Sequence, residues 1–213
     1  MDVSLKDRRT DVGELYIDDV RPAMPNYDPD RVDTRRGEVL GIAIHHSGTA
    51  DARTGLSADN ARTIAEYHVG TLGWDHPGYH YVVLPNGVVE YALDERIPAY
   101  HAGFTDPEDR RGLESGQFWN HHYLAICVAG WFDDGRHVPD KSSPNGARPI
   151  PDYFTRPAAA QFRALMWLVQ SLKDKYNLAA AQVRGHRELE GCSTACPGRN
   201  FDLDSFRRSL ADQ

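Results

Sequence analysis

An α/β fold, built as a single domain with a mixed central β-sheet flanked by helices, is predicted by three observations. Short apolar runs of strand length, VLGIAIHH at residues 39–46 and YLAICV at 123–128, are rich in branched residues. An Asn86-Gly87 turn signal joins two alternating runs, and a long amphipathic pattern follows at residues 155–177. Strands interleaved with helices in this way form a sheet covered by helices. The 213 residues, 40% of them hydrophobic, suit one such domain.

In chain order, the first 37 residues are polar and proline-containing, and are expected to form an irregular lead-in packed on a domain spanning residues 38–213. Residues 39–46 read as a buried strand. Ser57, ahead of ADNARTIAEYHV, is expected to cap a helix with Ile64, Tyr67 and His68 towards one side. YHYVVL and VVEYAL, on either side of Pro85-Asn86-Gly87, form a hairpin, because Asn and Gly adopt the positive φ of tight hairpin turns. Residues 94–120, rich in Gly, Asp and Pro, make a long loop, and such loops inside compact domains usually serve function. Residues 123–128 form another strand. In the helix at 155–177, Phe162, Leu165, Met166 and Val169 make one apolar stripe, with Pro157 in the first turn, where its missing N–H costs little. A short strand at 182–187 and a closing helix at 202–212, carrying Phe206 and Leu210, complete the order. Strand order is not readable from this pattern.

Charge and cysteine content exclude several function classes. With 24 basic and 31 acidic residues the net charge is −7, which disfavours nucleic acid as a partner, because phosphate contacts require clustered Lys and Arg. No apolar run approaches the roughly 18 residues of a membrane span, and the start, MDVSLKDRRTD, lacks the apolar core of a signal peptide. A monomer made in the cytoplasm is expected. Three cysteines are too few and too unevenly placed for a disulfide framework.

Chemistry concentrates where His and Cys meet ordered structure. His45 and His46 end the first strand, where alternation sends only one of them into a given cleft. From the dipeptide alone, a zinc ligand and a strand-end histidine bonded to a loop both remain open. Gly185-His186-Arg187 and Cys192-Ser193-Thr194-Ala195-Cys196 follow, and His186 converges with Cys196 if the chain between them loops back. His45, His186 and Cys196 would form a three-ligand set with an open fourth position, as catalytic zinc sites have; a closed structural site needs a fourth ligand, for which Cys192 is the only nearby candidate. His76 and His80 have the H-x-x-x-H spacing, but Pro77-Gly78 between them rules out the zincin helix. Cys127, inside an apolar strand, reads as core, and a cysteine hydrolase using Cys127 or Cys192 stays open at this level.

Five segments taken together, IAIHHSG, GWDHPGYHYVVLPNGVVEYAL, HAG, NHHYLAICVAGWF and GHRELEGCSTACPGRNFD, resemble the type-2 N-acetylmuramoyl-L-alanine amidases and the related peptidoglycan recognition proteins, including the bacteriophage lysozyme-type amidases. The resemblance implies one zinc ion held by His45, His186 and Cys196, a catalytic role for Tyr79, and a supporting one for Thr194. It implies hydrolysis of the amide joining N-acetylmuramic acid to L-alanine, with Trp74, His76, His101 and Asn120 lining the glycan–peptide groove. His80, alternating with Tyr79, is expected to face away. Recognition-only members commonly carry Ser where this chain has Cys196, so the Tyr79, Thr194 and Cys196 set favours an enzyme over a zinc-containing binding module. Peptidoglycan is the expected partner. A lysin acting on the cell wall after release from the cytoplasm is the expected setting.

Overall fold

A computed structural model describes residues 15–28, 30, 34–49, 58–103, 118–133, 137–139, 147–149 and 156–211. Strands β1 (Ile17–Asp19), β2 (Gly41–His46), β3 (Tyr81–Val83), β4 (Val89–Tyr91), β5 (Tyr123–Val128) and β8 (Val183–Gly185) form one sheet in the order β1-β4-β3-β5-β2-β8. Between β5 and β8 in the chain, β6 (His137–Pro139) and β7 (Ala147–Pro149) pair antiparallel with each other. The main sheet is mixed as expected: β3 and β4 are an antiparallel hairpin, whereas β3, β5, β2 and β8 run parallel. The α-helices among the described residues are α1 (Ala61–Ala65), α2 (Phe118–His122), α3 (Ala159–Tyr176) and α4 (Leu203–Ala211).

The two faces of the sheet differ in side-chain size, and this difference positions the site. Ile42 and Ile44 of β2, with Leu124, Ile126 and Val128 of β5, share one cluster with Leu165, Leu168 and Leu172 of α3 and Phe206 and Leu210 of α4. Burying each such side chain contributes about 1.5–3 kcal/mol relative to leaving it in water. The middle of the other face is small, with Ala43 in β2 and Ala125 and Cys127 in β5 all fully buried, and the larger His45 and Tyr123 stand at its ends. Small residues let α2 and the loops approach the backbone closely there. The stripe of α3 is rotated slightly from expectation: Leu165 and Val169 are fully buried, but Phe162 and Met166 only flank the core, and Ala164, Leu168 and Leu172 fill its centre.

Several local expectations shift. Asn60 caps α1, its side chain accepting from Thr63 N, and Ser57 lies outside the described residues. Past Ala65 the helix widens into a π-helical turn, Glu66–Thr71, which carries His68. Pro157 falls before the N-cap of α3, Ala158, rather than in its first turn, because Ala158 is extended at ψ 151°. The hairpin forms, but of the two turn residues only Gly87 takes a positive φ, +90°. Of the long loop, residues 104–117 lie outside the described residues, and α2 closes it.

The lead-in is not irregular throughout. β1 adds an edge strand in parallel to β4, and the Arg21 guanidinium lies 4.1 Å over the Tyr91 ring while bonding Asp19 and Asp94. Arg35 reaches inside to donate to the carbonyls of His121 at 2.5 Å and Glu95 at 2.9 Å. Loss of hydration lowers its pKa to about 10, which leaves it a cation at neutral pH.

Candidate metal centre

β2 delivers His45 to the small-residue face, 1% exposed, and His46 to the opposite side. β8 pairs in parallel with β2, Gly185 opposite Ile44, so His186 emerges one residue later beside His45, ring centroids 4.5 Å apart. Gly185 leaves room for the returning segment: a Cβ would meet Leu203 Cδ1 at 2.5 Å and Pro197 Cδ at 2.9 Å. The chain then turns out and returns. Arg187 N donates to the Cys196 carbonyl at 2.8 Å, and the Arg187 guanidinium donates to the carbonyls of Gly198 and Phe201. This closure brings Cys196 Sγ to 3.7 Å from His45 Nδ1.

The ligand atoms of His45, His186 and Cys196 all lie within 4.8 Å of one another. Among the described residues no other group of three His, Cys, Asp or Glu converges in this way, and Cys192 does not join it. A tetrahedral zinc ion with ordinary Zn–N and Zn–S bonds holds N and S about 3.6 Å apart, so the His45–Cys196 spacing fits such an ion without rearrangement. The N,N,S donor set suits zinc and leaves a fourth position for a water or substrate. Burial, then the neighbouring histidines, holds His45 well below the ordinary histidine pKa, and burial brings His186 to about 4. Both rings are therefore neutral at pH 7, with lone pairs to offer. Burial pushes the Cys196 thiol up to about 12, against the pull of the His46 N–H and Arg187. A bound dication reverses that preference, since thiols coordinate as thiolates.

Tyr79 stands beside this cluster, its ring centroid 5.2 Å from that of His45. Burial raises its phenol well above the ordinary value, so it remains an O–H donor. Thr194 is exposed, and its Oγ1 accepts from Cys196 N at 3.1 Å, leaving its own proton to donate. Trp74 keeps partial exposure and packs on His68, ring centroids 4.5 Å apart, while the ring of His68 reaches to 5.5 Å from Tyr79. His76, His101 and Asn120 are the other residues expected to line the groove. All three are buried, and each bonds within the protein: His76 Nδ1 near Pro77 O, His101 against His45 and Trp119, Asn120 to the backbone of Ala102 and Gly103. His80 turns away from Tyr79, accepting from Ala125 N. Cys127 is core, and burial raises its thiol well above the ordinary value, the reverse of what a nucleophile needs.

Residues 35–199 match the family model described as N-acetylmuramoyl-L-alanine amidase. The chain belongs to that family. Among curated relatives, the endolysin of Escherichia phage T7 is 26% identical over 169 residues, 79% of this chain and 85% of the phage protein. In fold, this family member resembles the N-acetylmuramoyl-L-alanine amidase LysC from Clostridium intestinale, at TM-score 0.59 and 18% identity, covering 92% of this chain and 97% of LysC. It also resembles PGRP-SA of the bumblebee, at TM-score 0.60 and 17% identity, with 89% and 92% covered.

Sequence reasoning missed three contributors to this amidase-family site. Arg187 bonds two backbone carbonyls and so staples the loop presenting Cys196. Trp119 ties two walls together, its Nε1 donating to Glu190 O at 2.9 Å and its carbonyl facing His101. Gly198, at φ +102°, lies so close to Phe132 that a Cβ would sit 2.0 Å from its carbonyl oxygen. Backbone partners leave no trace in side-chain spacing; only the Gly198 type hinted at a constraint.

Proposed function

We propose that this chain hydrolyses the amide between N-acetylmuramic acid and L-alanine in peptidoglycan, with one zinc ion held by His45, His186 and Cys196. The convergence of those three donor atoms within 4.8 Å, in a chain of the amidase family, carries the reading. Zinc bound there supplies Lewis acidity and lowers the pKa of water towards ~7. Tyr79, partly buried and neutral, donates a hydrogen bond to the oxygen on which negative charge develops as the amide carbon becomes tetrahedral. Thr194, tethered to Cys196 N, offers a second hydroxyl at the exposed rim. Trp74 provides the aromatic wall against which the glycan–peptide substrate rests, and the depressed His68 beside it keeps that wall uncharged.

The protein works as a single chain on the cell wall, in the manner of a phage-type lysin, with residues 38–213 as the amidase unit and the lead-in bracing it. Incubation with purified peptidoglycan, followed by mass spectrometry of the released ends, tests the reading. Stem peptides beginning at L-alanine, lost on chelation and regained with zinc, are expected. Wall bound but uncut would instead make the chain a zinc-containing recognition module, and new reducing sugar ends would assign a different bond.

A further inference from the structure

A metal-ligating imidazole needs its donor nitrogen bare, and the hydrogen bond made by its other nitrogen decides which one that is. Around His45 that decision passes through a second histidine. His101 Nε2 lies 3.2 Å from the carbonyl oxygen of Trp119, and a carbonyl only accepts, so this nitrogen carries the proton. In a neutral imidazole the other nitrogen is then an acceptor. His101 Nδ1 lies 3.0 Å from His45 Nε2, which must therefore be the N–H donor. His45 Nδ1 is left with its lone pair towards Cys196 Sγ. Asn120 holds this relay in register, accepting from Ala102 N and donating to Gly103 O on the two residues that follow His101.

We infer that His101 is a positioning residue that sets the tautomer of His45, Nε2–H with Nδ1 bare, and so builds the metal affinity of the site from a neutral histidine where a carboxylate or carbonyl commonly stands. The inference rests on the zinc reading above. A neutral acceptor fixes the ring without adding negative charge, so the thiolate of Cys196 remains the anionic ligand.

Zinc affinity, measured by competition with a chromophoric chelator, separates the two levels. Wild-type protein that fails to take zinc would overturn the zinc reading itself. Given wild-type binding, His101→Leu is expected to weaken it 10- to 100-fold, the usual loss when such an outer partner is removed. His101→Gln, whose amide oxygen accepts from His45 and whose amide nitrogen donates to Trp119, is expected to recover most of it. Equal affinity in the Leu variant, or equal loss in both, would overturn the inference. Long-range ¹⁵N–¹H spectra of the wild-type histidines supply a readout that needs no variant to fold. His45 is expected in the Nε2–H form with and without zinc, and an Nδ1–H form in the metal-free protein would sink the relay.

Discussion

Tyr79 illustrates how position, not residue type, assigns a role. Its ring stands 5.2 Å from that of His45, and its phenol is held protonated by loss of hydration, with the Cys127 and Cys196 thiols adding to the effect. It can donate to a developing oxyanion but cannot serve as a base near neutral pH. Tyr79→Phe removes that donor and nothing from the ligand set. The expected outcome is a 10²- to 10³-fold fall in the rate of muropeptide release with zinc content unchanged. Activity within a fewfold of wild type would take Tyr79 out of the chemistry. The identity of Tyr79 was legible in sequence through Gly-Tyr-His-Tyr. The environment that keeps it protonated was not, because it is assembled from strands distant in the chain.

Elements deliver these residues through close backbone approach. The segment after β8 returns to the sheet only because Arg187 spans the carbonyls of Gly198 and Phe201, and because Gly198 lets the chain pass against Phe132. Gly198→Ala combines a left-handed φ with a backbone clash, so the loop must move and Cys196 with it. Thermal unfolding is expected at a markedly lower temperature, with weaker zinc uptake; an unshifted melting curve would refute this account. The lead-in makes a comparable contribution at the opposite edge. Trimming the chain to begin at Gly37 removes β1, the Arg21–Tyr91 contact and the Arg35 hydrogen bonds. Each carbonyl left without a donor costs about 1–3 kcal/mol. A clear drop in the urea midpoint is expected, and a trimmed chain as stable as the full one would reduce the lead-in to a surface covering.

Over the whole molecule, buried neutral histidines couple stability to pH. Burial holds His68, packed between Trp74 and Tyr79, at about 4. His80, buried beside the Arg35 guanidinium, is held well below the ordinary value. An unfolded histidine takes up a proton near pH 6.5, so on acidification below that value the unfolded state binds protons that the fold refuses. Their stabilisation is thus full above about pH 6.5 and declines as pH falls towards 4, where His68 titrates in the fold; His80 extends the decline further. Urea midpoints of the metal-free protein, measured in chelator from pH 7.5 to 4.5, should fall steadily over the lower two units. A flat profile there would contradict the burial of these rings.

The sequence by itself determined the α/β class, the strands at β2 and β5, the hairpin, the two long helices and the five motif segments, because periodicity and turn chemistry are local. It also supplied His45, His186, Cys196, Tyr79 and Thr194 as residue types in a family pattern. Tertiary structure alone decided the strand order, which places β8 beside β2 and so His186 beside His45. It decided that Ile17–Asp19 pair with β4, since three residues carry too little periodicity to announce an edge strand. It also decided that His76, His101 and Asn120 are buried. The physical reason is the same in each case. A side chain's chemistry is written in its own residue, but which nitrogen stays bare, which proton is retained and which face is open depend on desolvation and on backbone donors and acceptors contributed by distant parts of the chain.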